Sequence, residues 1–424
     1  MTKQYTYKFR IYPNREQTAF LGGQIGYNRF VYNFFLERAI NLYKIHNIKF
    51  NYYASKKVIP LLKKGFPFLR LANSQSLQSS LKNLDAAFKN FFCGRAKFPA
   101  FKKKNDNYGI AIPQHFVIKD GLLYLPKLES PVKVKFHRKV QETVKSINIT
   151  KTPSNKYYVN MLVEKEFTPK SKSVKVSGID LGIKDFAIIT SGTAHKNYNS
   201  VKVLNPKYLV KSQRRLIKLS RQLSKKRHRK TKTDKTKPSG NYIKFKNRLS
   251  KLHEHITNQR KDYLHKASSK TVNDSQVIVL EDLNIKGMVK NKCLSKSISD
   301  ASWGMFAGML KYKADWYGRD IVTVDRFYPS SKTCNKCGYI KHDLKLSDRG
   351  WICPVCDAVH DRDVNASINL FLKGLIIRQE LPELTPAEYA PAGIQSIGYS
   401  GHTSKQEASR FMRGSSLNTI DFIA

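Results

Sequence analysis

Apolar and polar residues alternate from residue 5 to residue 12, Y-T-Y-K-F-R-I-Y, with the period of a β-strand, and Pro13 stops the run. Asn14 and Gln17 have the form of a capping box. Beyond them Phe20, Leu21, Ile25, Tyr32 and Phe35 recur at helical spacing, which predicts a long helix with its aromatics packed into a core. A second long helix is predicted over Ser74 to Phe92, where Leu77, Leu81, Leu84, Phe88 and Phe91 fall three and four apart. Between Tyr108 and Glu166 the pattern shortens to V-I-K-D-G-L-L-Y-L, V-K-V-K-F, S-I-N-I-T-K-T and Y-Y-V-N-M-L-V, strands broken by Asp-Gly, Pro and Ser-Asn. With residues 5 to 12 these strands are expected to close a small β-barrel, and T-P-K-S-K-S (168–173) reads as a linker.

The second half has another rhythm. V-K-V-S-G-I-D-L-G-I-K-D-F-A-I-I-T-S-G (174–192) predicts two strands joined by a tight turn at Gly182, and a third extended segment lies near Val201 to Leu204. Leu209, Leu216, Leu219 and Leu223, then Leu249, Leu252, Ile256 and Leu264, predict a helical pair. Q-V-I-V-L-E (276–281) is a continuous apolar run closed by an acid, the pattern of a central strand buried on both faces. Ser302 is the expected cap of a helix carrying Trp303, Phe306, Leu310 and Tyr317; residues 321–325 read as a strand, and Asp363 to Leu375 as a last helix. The order βββ-α-β-α-β-α is that of an RNase H-type sheet, so the chain is expected to be an α+β multidomain protein. Residues 381–424 keep no sustained period and are expected to form a flexible tail.

Charge changes the picture. The 424 residues carry 77 Lys+Arg against 31 Asp+Glu, a formal charge of +46, while 41% hydrophobic residues supply enough apolar mass for two to four cores. Self-repulsion on that scale points to a polyanionic partner, with a ribosomal-type binder or a merely basic surface as the other readings. Between Lys207 and Lys270 there are 22 Lys+Arg and 3 Asp+Glu, so Arg214, Arg221, Arg227 and Arg229 are candidate contacts to a nucleic-acid backbone. Arg95, Lys97, Lys102, Lys103 and Lys104 interleave with Phe98, Pro99 and Phe101, which suits phosphate contact beside stacking surfaces but also a solvated loop. No run of about 18 apolar residues occurs and the first residues are polar, so neither a membrane span nor a secretion signal is expected; the expected place of work is the cytoplasm, at the nucleoid when DNA-bound.

Two chemistries follow from residue type and spacing. Cys334, Cys337, Cys353 and Cys356 form C-x2-C, fifteen residues, C-x2-C, the spacing at which two knuckles gather four thiolates round one Zn²⁺. A closed thiolate shell leaves no position for water, so its role is to fold the segment. Redox dithiols and an iron–sulfur cluster are the competing readings, and His342 and His360 are alternative ligands or supporting residues. Asp180, Glu281 and the pair Asp361 and Asp363 are hard oxygen donors on different elements, the type needed to hold two Mg²⁺, or Mn²⁺, at a phosphodiester. Each has an ordinary alternative: a hairpin-turn aspartate for Asp180, a solvent-facing or capping role for Glu281 or an exchange of roles with Asp282, and helix capping for Asp361 or Asp363.

G-I-D-L-G-I-K-D (178–185), L-E-D-L-N-I-K-G-M (280–288), Y-P-S-S-K-T-C-N-K-C-G (328–338) and H-D-R-D-V-N-A-S-I-N (360–369) resemble the RuvC and zinc-ribbon motifs of TnpB, the OrfB-type family of bacterial insertion sequences related to type V CRISPR effectors. Y-K-F-R-I-Y-P-N, L-D-A-A-F-K-N-F-F (84–92), L-P-K (125–127) and F-H-R (136–138) match the family's N-terminal half. The resemblance implies an RNA-guided DNA endonuclease. A guide non-coding RNA occupies the basic grooves, the protein reads a short motif flanking a double-stranded DNA target, and pairing supplies sequence specificity. It implies a RuvC RNase H-like nuclease domain over 171–330 and 361–380, carrying the basic helical pair 207–270 and an inserted zinc ribbon over 331–360. It also implies a wedge-like β-barrel over 1–12 and 105–170 with a helical recognition bundle, 13–104, inserted in it. Asp180, Glu281 and Asp363 would carry catalytic Mg²⁺, with Asp363 taking the acid position of D-x-N-A, and Tyr53, Gln75 and Gln78 would face the groove. A functional link to the element's transposase is also implied. Asp357, where Gly is common, and Ser367, where a second Ala is usual, are departures. A guide-dependent regulator that does not cut, or a transposition accessory protein, is the alternative function.

Overall fold

The computed structural model describes residues 2–104, 109–226, 238–345 and 347–379. The first strand, β1 (Thr2–Tyr12), leads into α1 (Arg15–His46) through the expected capping box: the Asn14 side chain accepts from the Gln17 N–H at 2.8 Å and the Gln17 side chain accepts from the Asn14 N–H at 2.9 Å. Helices α2 (Tyr52–Gly65) and α3 (Ser74–Phe92) pack against α1 through Val31, Phe35, Leu36, Ile59, Leu77 and Leu81, all buried. At about 1.5–3 kcal/mol per buried large apolar side chain, this cluster is enough to hold the bundle together. Strands β2 (Gly109–Ile112), β3 (Val117–Lys119), β4 (Leu122–Tyr124), β5 (Val132–Lys135), β6 (Val144–Lys151) and β7 (Tyr157–Glu166) join β1 in a seven-stranded antiparallel sheet of order β2-β6-β7-β1-β5-β4-β3. Ile110 on one edge strand and Ile118 on the other belong to the same apolar cluster, centred on the buried Phe9, Ile11, Val159 and Met161.

A second, five-stranded sheet has the order β10-β9-β8-β11-β12, built from β8 (Val176–Leu181), β9 (Asp185–Ala194), β10 (Asn197–Leu204), β11 (Val277–Glu281) and β12 (Asp320–Val324). The first three strands are antiparallel neighbours, whereas β11 runs parallel to both β8 and β12. The connections carry α4 (Tyr208–Lys225) and α5 (Gly240–Asp274) before β11, then α6 (Ile285–Met288), α7 (Ser295–Ala301) and α8 (Trp303–Tyr317) before β12. A short hairpin, β13 (Gly350–Ile352) with β14 (Val359–Asp361), precedes α9 (Arg362–Gln379).

The apolar run of β11 is explained by helices on both faces. Ile278 and Leu280 pack with α5, α7 and α8 through Leu264, Ile298 and Phe306, while Val277 and Val279 pack with Leu370 and Phe371 of α9. Helix α9 lies unusually close to β8. A Cβ at Gly178 would sit 2.2 Å from the Phe371 amide nitrogen and 2.5 Å from the Ser367 carbonyl, so only glycine admits this contact. Helix α5 meets the β6–β7 hairpin of the first sheet at Glu254, whose carboxylate accepts from Ser154 (2.7 Å) and Tyr158 (3.0 Å) and pairs with Lys156 (3.0 Å).

Ser302 departs from expectation. It precedes α8 in a left-handed conformation, φ 58°, with no capping bond, and its hydroxyl donates instead to the Ser299 carbonyl at 2.9 Å. Its backbone ends α7 and turns the chain into α8, so the hydroxyl points away from the N–H groups that a cap would satisfy. Among the described residues no helix is long and apolar enough to cross a membrane.

Candidate functional site

Strand alternation decides where the acids point. On β8, Val176 and Gly178 face α9, and Asp180 follows two residues on; on β11, Val277 and Val279 face α9, and Glu281 follows. The parallel ladder pairs Ile179 with Leu280, so the next residue on each strand is Asp180 and Glu281. The first turn of α9 brings Asp363 to the same place. Burial, then the charges of Glu281 and Asp363, push the Asp180 carboxyl up to about 7, with Arg362 acting in the opposite sense. Three carboxylates on three elements thus form one negative cluster in a strongly basic chain. Carboxylates are hard oxygen donors of the type suited to Mg²⁺ or Mn²⁺, and Glu281 and Asp363 lie close enough to Asp180 for their charges to act on it; among the described residues, the group whose ligand atoms all lie within 4.8 Å of one another is the four cysteines.

The alternatives left open by the sequence separate cleanly. Asp361 is a capping residue: one carboxylate oxygen accepts from the N–H groups of Asp363 and Val364, both at 3.1 Å, and the other pairs with Lys202 at 2.7 Å. Asp363 makes a looser contact with Arg349 at 3.5 Å. Asp282 points elsewhere and pairs with Arg326 at 2.5 Å, whereas Glu281 accepts a 2.5 Å hydrogen bond from the Ser330 hydroxyl. Ser330 was not a sequence candidate; it lies in the S-S-K-T stretch ahead of the first cysteine, and nothing local connects it to residue 281.

The thiols of Cys334, Cys337, Cys353 and Cys356 lie within 4.8 Å of one another. Each C-x2-C is a knuckle: the Gly338 N–H donates to the Cys334 carbonyl (2.9 Å), and the Asp357 N–H to the Cys353 carbonyl (3.0 Å). Asp357 takes φ 51°, a conformation that Asp tolerates better than most residues and Gly most easily, which accounts for a residue other than glycine here. Four sulfur donors converging in this way fit Zn²⁺. His360 is buried with its Nε2 3.1 Å from the Cys334 sulfur and its ring 4.6 Å from Trp351, so it supports the cluster from outside; His342 is exposed. Cys93 and Cys293 are exposed free thiols far from this group in the chain. The other departure, Ser367, is fully buried, with its hydroxyl 2.7 Å from that of Thr190 on β9.

The candidate nucleic-acid contacts are dispersed. Arg214 and Arg221 are exposed on α4, a helix without buried residues, while Arg227 and Arg229 lie outside the described residues. Lys102 lies over the Tyr32 ring at 3.9 Å and Lys103 beside it is exposed; Phe98 and Phe101 are each about half exposed, so the mixed basic and aromatic surface is present. Tyr53 is 75% exposed on α2. Gln75 and Gln78 are partly buried on α3, and the Gln75 amide donates to Gln114 at 3.1 Å.

Comparisons with known proteins agree with this layout. A family profile described as "Probable transposase", OrfB of the IS605 type, matches residues 157–292, and one described as "Cas12f1-like, TNB domain" matches residues 303–370. A third, a "Helix-turn-helix domain", matches residues 1–48, although the structure there is one strand and one helix, β1 and α1. A Streptomyces pristinaespiralis protein named "Putative RNA-guided DNA endonuclease" is 34% identical over 375 residues, covering 87% of this chain and 89% of its own. "Putative RNA-guided DNA endonuclease InsQ" of Escherichia coli K12 is 31% identical over 403 residues, 88% and 93% of the two chains. The protein in a cryo-EM structure of a Cas12f1–sgRNA–target DNA complex shares the fold with a TM-score of 0.53 at 14% identity, over 88% of this chain and 84% of that one.

Proposed function

The chain belongs to the TnpB (OrfB) family of insertion-sequence proteins, and on that premise we propose that it is an RNA-guided DNA endonuclease whose cutting centre is Asp180, Glu281 and Asp363. The observation that carries the catalytic assignment is the position of these carboxylates at the ends of two parallel strands and at a helix start, where burial and then the charges of Glu281 and Asp363 raise the Asp180 carboxyl. In this reading the five-stranded sheet with α9 is the RuvC nuclease domain, the seven-stranded sheet, whose edge strands β2 and β3 are not paired with each other as a closed barrel would require, is the wedge-like domain, and α1 to α3 are the recognition bundle.

Asp180, Glu281 and Asp363 would hold Mg²⁺ or Mn²⁺. Bound there, such ions supply an activated water and neutralise charge on the leaving oxygen of a phosphodiester. The protein's own part is placement. Ser330 fixes one Glu281 oxygen, Asp361 caps the start of α9 beside Asp363, and Gly178 lets α9 pack directly on β8. The cationic faces of α4 and α5 and the Lys102–Lys103 surface hold nucleic-acid backbone, a contribution without sequence information. Zn²⁺ held by the four thiolates folds the ribbon that leads into α9 and takes no part in the chemistry.

The test begins with the RNA that co-purifies with the protein. Sequencing it identifies the guide, and a DNA target matching it, flanked by randomised sequence, should be cut by the wild-type complex in Mg²⁺. The Asp180→Ala complex should retain the RNA and leave the DNA intact. Matched DNA that is bound but never cut by the wild-type complex would overturn the nuclease reading in favour of a guide-dependent regulator.

A further inference from the structure

Glu281 accepts a short hydrogen bond from a side-chain hydroxyl, and that donor belongs to the approach to the four-cysteine ribbon. Ser330 is 6% exposed; its hydroxyl lies 2.5 Å from the Glu281 carboxylate, and its backbone is held from the other side. The Asn369 amide donates to the Ser330 carbonyl at 2.7 Å and, with its second hydrogen, to the Thr333 carbonyl at 2.7 Å. The Asn365 amide, one turn earlier on α9, donates to the same Thr333 carbonyl at 2.7 Å. The residue after Thr333 is Cys334, the first thiolate of the cluster. Both asparagines are buried, 1% and 4% exposed, so water does not compete for these bonds.

We propose that Ser330, Asn365 and Asn369 form a positioning relay that ties the fold of the four-cysteine ribbon to the orientation of the Glu281 carboxylate. The proposal rests on the reading of Glu281 as a metal ligand. The sense of the coupling follows from geometry. Helix α9 carries Asp363 and Asn365 in its first turn and Asn369 one turn further on, so one rigid element fixes both a candidate ligand and the segment from Ser330 to Cys334. With the ribbon folded, that segment runs in one path and the Ser330 hydroxyl meets Glu281. With it unfolded, the carboxamides have no fixed carbonyls to hold, and Glu281 is free to turn towards solvent. A carboxylate so released binds a divalent cation more weakly, because partners that orient a ligating group typically cost 10–100-fold in metal affinity when removed.

The experiment uses the full-length, zinc-loaded protein and measures Mn²⁺ binding by electron paramagnetic resonance titration, with zinc content measured in parallel. Ser330→Ala is expected to keep one zinc per chain and to bind Mn²⁺ about tenfold more weakly. Ser330→Thr, which keeps the hydroxyl, should restore binding to within about twofold of wild type. Asn369→Leu, similar in size but without the amide, should weaken Mn²⁺ binding in the same direction with zinc retained. Wild-type Mn²⁺ affinity in both Ser330→Ala and Asn369→Leu overturns the relay. Loss of zinc or of the fold in both variants also counts against it, since the relay acts within a folded ribbon. Asp180→Ala separates the two ideas. If it binds Mn²⁺ as wild type does, the carboxylate cluster is not the metal site and the underlying reading fails; if it loses Mn²⁺ while Ser330→Ala does not, the relay alone fails.

Discussion

The thiolate site and the carboxylate site stand at opposite ends of the same short path through Ser330 and α9, yet they are built in opposite ways. The four thiolates come from 23 consecutive positions, Cys334 to Cys356, and the knuckle bonds that shape them are local. The carboxylates come from positions 180, 281 and 363, and only the pairing of β8 with β11 and the packing of α9 bring them together. A site of the first kind organises its own fold when metal binds. A site of the second kind is held together, against the repulsion of its own charges, by a core that folds for other reasons. Loss of a thiolate should therefore read as loss of structure, and loss of a carboxylate as loss of function with structure preserved or improved.

The largest expected effect is at Cys353, which is fully buried in the ribbon core with Leu344, Trp351 and Ala358. Cys353→Ser should lower zinc from one ion per chain to none and expose the ribbon to limited proteolysis. Structural zinc typically contributes about 10–16 kcal/mol of apparent binding free energy, far more than this small core supplies. DNA cutting should vanish as well. An intact, protease-resistant ribbon in the zinc-free variant would break the comparison.

Next in size is Asp180→Ala. If Asp180 is a ligand of the proposed cutting centre, its removal should cost several kcal/mol of transition-state stabilisation, about 10³-fold or more in cleavage rate. Zinc content and retained RNA should not change. A fall in zinc content would show that the two sites are one folding unit.

A smaller effect concerns pH, and its sign is opposite to that of ordinary surface aspartates. In the unfolded chain an aspartate titrates near 3.9, but in the fold burial and the charges of Glu281 and Asp363 move Asp180 to about 7. Between those values the folded state holds a proton that the unfolded state has lost, so stability is present at low pH and falls as pH rises from about 4 to about 7. For the metal-free protein the loss attributable to this group is of order 2–4 kcal/mol. Urea unfolding in the absence of divalent metal should show this fall for wild type and a flatter profile for Asp180→Asn. Added Mg²⁺ should restore the wild-type protein at pH 7 and do little for the variant.

The same contrast explains what could be read from the sequence. The cysteine spacing, the Asn14–Gln17 capping box and the helix over Ser74 to Phe92 are local patterns, and each appears in the structure as expected. The inner position of β11 was legible because the strand is apolar on both faces. Ser330 and the two asparagines were not legible, because their partners lie 32 to 49 positions away and the bonds exist only after α9 docks. Helix α2 escaped notice for a different reason: of its apolar residues only Ile59 and Leu62 are buried, and Pro60 interrupts the pattern. The expected cap at Ser302 failed because hydroxyl and position fit, but the backbone turns left-handed there to end α7. The candidate groove contacts Tyr53, Gln75 and Gln78 are surface-accessible to differing degrees, which by itself assigns them nothing.

The smallest expected effect tests the finest distinction, between two aspartates two residues apart. Asp361 holds the free N–H groups of Asp363 and Val364 and pairs with Lys202, while its side chain is 46% exposed. Asp361→Asn keeps a capping acceptor and removes the charge, so it should lower stability by at most about 1 kcal/mol, since exposed ion pairs contribute little and Asn caps nearly as well as Asp. Cleavage should stay within a few-fold of wild type, because α9 keeps its start and Asp363 its direction. Asp363→Asn should behave in the reverse way: no cap is lost, one of three mutually repelling charges is removed, and the metal-free protein should be as stable as wild type or slightly more so, while cleavage collapses to the level of Asp180→Ala. Measuring thermal stability and cleavage for the two variants side by side places them on opposite corners of one plot. If Asp361→Asn proves the inactive one, the first turn of α9 must rotate when metal binds, and the assignment of Asp363 to the cutting centre is wrong.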